Sequence, residues 1–120
     1  MILADTSVWL EFFRGHVTGL RQKLAQKQIL MHPAVIGELA VGNLRDRAAT
    51  LSMLRALPRS RVGTTDECLT AIERFALHGR GIGWIDVQLL VAARLSQSQL
   101  WALDRPLRLA ATRLGITFPG

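Results

Sequence analysis

The chain has 120 residues, 49% of them apolar, and its 15 Lys and Arg against 9 Asp and Glu give a net charge of +6. This length fits one domain, spanning residues 1–120, that buries roughly two-thirds of its unfolded surface. The composition excludes a disordered chain and a membrane-spanning helix, and the single cysteine, Cys68, excludes an internal disulfide or a cysteine-based zinc site. The arginine-rich excess favours polyanionic partners, because the guanidinium fork grips phosphate through paired hydrogen bonds. Taken singly, each arginine is an ordinary solvated residue. The start lacks a signal peptide's basic segment and carries Asp5 where its apolar segment would lie, so a cytoplasmic protein is expected.

In chain order, Met1-Ile2-Leu3-Ala4 reads as a buried strand, and Asp5 or Thr6 caps the helix that follows. Residues 15–19 make a turn, 20–28 a polar-faced helix and Ile29-Leu30-Met31 a second strand. Pro33 suits a helix's first turn, and the helix continues from Ala34 to Gly42. Another helix is expected from Asp46 to Leu57, ended by Pro58, and then a short strand over 61–64. Thr64 and Glu67 form a capping-box pattern that opens a helix through about His78. Cys68 falls on its apolar side and reads as buried filler. After the Gly79–Gly83 loop, 86–96 is apolar on nearly every side, as in a helix sandwiched between layers. Leu100 to Leu103 reads as a strand, Asp104 starts the last long helix, and 116–118 is an edge strand. Strands alternating with helices predict a three-layer α/β/α fold around a parallel sheet.

Four acids stand apart. Asp5 and Asp104 each end an apolar run and open a helix, and Asp86 opens one after the glycine loop. Glu38 has Ala34, Val35, Val41 and Gly42 as helical neighbours, so an unpaired carboxylate there is expected to lose hydration at a cost. Each has a bland reading: a helix cap for the three aspartates, and pairing with Arg45 or exposure for Glu38. Strand ends in one parallel sheet converge, however, and clustered carboxylates repel. A hard divalent ion, Mg²⁺ or Mn²⁺, relieves that repulsion, and no histidine falls in a zinc-ligand spacing. Acids holding such an ion in a basic protein suit phosphodiester hydrolysis by a metal-activated water. Thr6 and Ser7 could orient the carboxylates, with helix capping as their bland role. Arg105 and Arg108 could meet substrate phosphates. Trp9, Trp84 and Trp101 lie in apolar patterns and are expected in the core. The alternative is a non-catalytic basic RNA- or partner-binding module whose acids only cap helices. The Gly79–Gly83 loop follows a helix and has Trp84 where a dinucleotide fingerprint needs glycine, so it does not signal nucleotide binding.

In order along the chain, four segments resemble the motifs of PIN-domain ribonucleases of the VapC type, toxins of VapBC toxin–antitoxin pairs. They are Leu3-Ala4-Asp5-Thr6-Ser7-Val8-Trp9, Glu38-Leu39-Ala40-Val41-Gly42, Gly83-Trp84-Ile85-Asp86-Val87-Gln88-Leu89-Leu90 and Leu100-Trp101-Ala102-Leu103-Asp104-Arg105-Pro106-Leu107. The resemblance implies a five-stranded parallel sheet, an endoribonuclease dependent on Mg²⁺ or Mn²⁺, a homodimer, and a VapB-type antitoxin that blocks the site. One departure is Ala102, where relatives often carry Thr or Ser two residues before the last acid. A second is Leu107, near where they often carry a further acid.

Overall fold

Three consecutive apolar residues are buried together only if their strand is paired on both edges and covered on both faces. That is the position of β1 (Ile2–Ala4), the central strand, whose residues are all buried. The computed structural model describes residues 1–17 and 19–120. From β1 the chain continues through α1 (Thr6–Phe13), α2 (Gly19–Ala25), β2 (Ile29–Leu30), α3 (Pro33–Val41), α4 (Arg47–Ala56), α5 (Thr65–Arg74), α6 (Trp84–Leu95), β3 (Gln99–Trp101) and α7 (Arg105–Arg113). The expected turn over 15–19 includes Thr18, outside the described residues, and Gly19 already belongs to α2.

The sheet is parallel, in the order β2-β1-β3. Ile2 and Leu3 face Ile29 and Leu30 on one side, and Leu3 and Ala4 face Leu100 and Trp101 on the other. The fold is thus α/β with a parallel sheet, but five strands are not found. Among the described residues the outer two shrink to single parallel bridges, Met31 with Arg59 and Leu100 with Thr117. The predicted strand over 61–64 is absent, and the sheet is touched earlier, just after Pro58, which cannot donate to a ladder. At the far edge, Gly115 and Pro119 bracket 116–118 too tightly for more than one pair.

The core gathers Leu3, Trp9, Met31, Leu90, Leu100 and Leu107, all fully buried. Helix α5 packs on α6 through Cys68, Val87 and Val91. Gly63 makes that approach possible, since a Cβ there would lie 2.6 Å from a Val91 methyl. Burial raises the Cys68 thiol, which suits filler and not a nucleophile. Helix α5 closes earlier than predicted, with Phe75 as its cap and Ala76 in the left-handed region at φ 50°. No helix is long and apolar enough to cross a membrane among the described residues.

His32 is buried at the end of β2, and its Nδ1 accepts the Ala34 N–H at 3.0 Å to cap α3. Burial holds its pKa below the ordinary 6.5. The folded state therefore takes up a proton less readily than the unfolded chain. Stability should be full above pH 6.5 and fall as the pH drops from there toward the depressed folded value. Melting temperatures measured between pH 7.5 and 5 should show this fall, and His32→Asn, which keeps a capping acceptor, should flatten it.

Candidate active site

Parallel strands end at one edge of the sheet, and the residues just past them become neighbours. Ligands collect where adjacent strands send their chains to opposite sides. Here that point lies between β1 and β3, because β1 leads toward β2 on one flank while β3 sits on the other. The first residue past β1 is Asp5, whose N–H bonds the Trp101 carbonyl at 3.0 Å. Three residues past β3 stands Asp104.

Asp5 is 6% exposed and caps α1. Its Oδ1 accepts the Ser7 hydroxyl at 2.6 Å and the Val8 N–H at 3.3 Å. Burial raises its pKa above the ordinary 3.8; the Ser7 and Val8 bonds pull down, and the Asp86 charge pushes up further. Two carboxylates far apart in the sequence therefore feel one another. Contrary to the expectation, Asp86 does not cap its helix; Gly83 holds that place and donates its N–H to Asp86 Oδ2 at 3.0 Å. The loop sets the helix start two residues earlier than the apolar pattern suggests. Asp104 caps α7, its Oδ2 taking the Leu107 N–H at 3.3 Å.

Glu38 is brought to the same region from α3, because the Thr6 hydroxyl donates to its Oε1 at 3.2 Å. The expected loss of hydration is not found: Glu38 is exposed, and Val41 beside it is 86% exposed. This outer face of α3 is uncovered, so the apolar neighbours on the wheel do not bury the acid. Ser7 does not cap α1, a place that Asp5 holds; it donates to Asp5, and its oxygen accepts the Leu103 N–H at 3.3 Å, tying the loop after β3 to Asp5. Ala102 is buried and offers no donor, so this hydroxyl comes from the other side of the crevice. Arg105 and Arg108 are exposed on the first turn of α7. Trp9 and Trp101 are in the core, but Trp84 is 44% exposed. It shares the spacing of Val87 and Val91 yet opens α6 beyond the core's edge.

All four acids use one oxygen for the protein. Among the described residues no protein group donates to Asp5 Oδ2, Glu38 Oε2, Asp86 Oδ1 or Asp104 Oδ1. Four free carboxylate oxygens, without histidine or cysteine, are the donor chemistry of a hard divalent cation. Among the described residues no three acid, histidine or cysteine side chains stand close enough together to form a finished shell, because each acid is drawn to its own helix start or hydroxyl.

A family model described as PIN domain matches residues 2–112. Two curated relatives, each named Ribonuclease VapC32, come from the CDC 1551 / Oshkosh and ATCC 25618 / H37Rv strains of Mycobacterium tuberculosis. Each is 38% identical over 117 residues, covering 97% of this chain and 94% of the relative.

Proposed function

The chain belongs to the PIN-domain family, with VapC-type ribonucleases as its relatives, and on that premise we propose that it is a metal-dependent endoribonuclease, the toxin of a toxin–antitoxin pair. One observation carries the reading: the Asp5 carboxylate is buried at the crevice between β1 and β3 and keeps one oxygen free of protein donors. Asp5, Asp86 and Asp104 would hold Mg²⁺ or Mn²⁺ once drawn together around it, and Glu38 would complete the shell or orient a water. When bound, the ion supplies a water of lowered pKa and a counter-charge for the phosphodiester.

The remaining work falls to this chain's side chains. Ser7 fixes Asp5 and the loop bearing Asp104 in one arrangement, and Thr6 holds Glu38 toward it. Arg105 and Arg108 meet the phosphates that flank the scissile bond, and the net charge of +6 steers RNA to the site. A VapB-type antitoxin that covers the crevice would silence it, and the chain works as a homodimer in the cytoplasm.

The test is to incubate the partner-free chain with total cellular RNA and Mn²⁺. Discrete fragments are expected, and Asp86→Asn should reduce their yield at least about a hundredfold. Intact RNA with well-folded protein would point instead to a non-catalytic binding module.

A further inference from the structure

Three arginines far apart in the chain meet at one residue. The Arg74 guanidinium lies 5.2 Å and that of Arg94 4.7 Å from the Phe75 ring centroid, and Arg113 donates to the Phe75 carbonyl at 3.1 Å. The first two are thus at most about 10 Å apart. All three are exposed, and each is the basic residue in the last turn of its helix. A helix end explains any one of them, but each C-terminus offers only about half a negative charge. Three ends thus offset about half of three positive charges. Among the described residues none of the three lies in an ion pair. Asp66 and Glu67 line the same groove of about 400 Å³, but from the first turn of α5, with Glu67 held by the Thr64 N–H.

The cluster is continuous with the acids. Asp104 caps helix α7, which exposes Arg105, Arg108, Leu109, Thr112 and Arg113, one face at helical spacing with no acid on it. The nine helical steps from Asp104 to Arg113 span roughly 13 Å. Helix α6 likewise carries Asp86 in its first turn and Arg94 in its last. Building on the RNA-cleaving reading, we infer that a single-stranded RNA backbone leaves the acids along α7 and is gripped by Arg74 and Arg94 at Phe75. A guanidinium held over a ring keeps its charge and its donors within reach of a phosphate, and the cluster's excess charge suits a polyanion.

The test measures binding of a labelled single-stranded RNA of about a dozen nucleotides, within the site sizes of single-strand binders, to the full chain carrying Asp5→Asn. Anisotropy is followed against salt concentration. Adding Arg74→Gln and Arg94→Gln is expected to shrink the slope of log affinity on log salt by about 1.4, at about 0.7 per lost phosphate contact. Arg74→Lys with Arg94→Lys should keep most of the slope, and a dinucleotide should show no difference. Arg113 is left in place because its bond to the Phe75 carbonyl serves the fold. An unchanged slope overturns the inference. So does a salt-independent loss that also affects the dinucleotide. An unchanged slope together with a dimer that falls apart would assign the arginines to contact between copies of the chain. The slope is read without cleavage, so an inactive wild-type enzyme with a reduced variant slope would sink the catalytic reading and leave this one standing.

Discussion

Asp5→Asn is expected to lower RNA cleavage by at least about a thousandfold while raising the melting temperature at neutral pH. The activity loss follows from removing the proposed metal ligand at the point where charge must be stabilised. The gain in stability follows from the sign of the pKa shift. Burial raises the folded pKa of Asp5 above 3.8, and Asp86 adds to it, against the pull of the Ser7 and Val8 bonds. The net upward direction means that desolvation outweighs the benefit of facing a helix N-terminus. In the presence of a chelator, the wild type should therefore gain stability as the pH falls through the raised folded value toward 3.8, and lose it again as the pH rises. Asparagine carries no charge to bury and still accepts from Ser7 and Val8, so the variant should lack this pH dependence. Melting curves from neutral pH to about pH 4 test it, and a variant less stable than wild type at neutral pH would contradict it.

The second large effect lies in the strand that leads into Asp5. Leu3 is fully buried between both neighbouring strands, with Leu30 and Leu100 opposite it. Leu3→Ala should cost about 3–5 kcal/mol, from lost burial and the cavity left behind. Against a total of about 5–15 kcal/mol, much of the variant would be unfolded at modest urea concentrations. Leu103→Ala, at a 37% exposed position near the same edge, should change stability by less than about 0.5 kcal/mol. Urea midpoints for the pair give the comparison. A small loss at Leu3 would mean that β1 is not the centre of the core.

Much of this arrangement is legible in local chemistry. An apolar run stopped by an acid and two hydroxyls predicts β1, its cap and α1, and all three are found. The Thr64–Glu67 box forms as its spacing requires, with bonds of 2.8 and 3.0 Å. The topology that gathers Asp5 and Asp104 follows from strands alternating with helices. What stays hidden is set by the rest of the molecule. A helical wheel shows that Glu38 has apolar neighbours but not whether anything covers them, and nothing covers Val41. Trp84 is apolar and in register with core residues, yet it opens its helix past the core's edge. The outer strands are expected over 61–64 and 116–118, but only the second carries an apolar pattern, and at each edge a single residue pairs, Arg59 on one side and Thr117 on the other. The arginines at Phe75 come from three helix ends, and no local spacing relates positions 74, 94 and 113.

Calorimetric titration of Mn²⁺ into the wild type and into Asp5→Asn bears most directly on the proposed chemistry. Saturable binding to the wild type, lost in Asp5→Asn and weakened in Asp86→Asn, is the expected result. Equal binding by wild type and Asp5→Asn, or none by folded wild type, would contradict it.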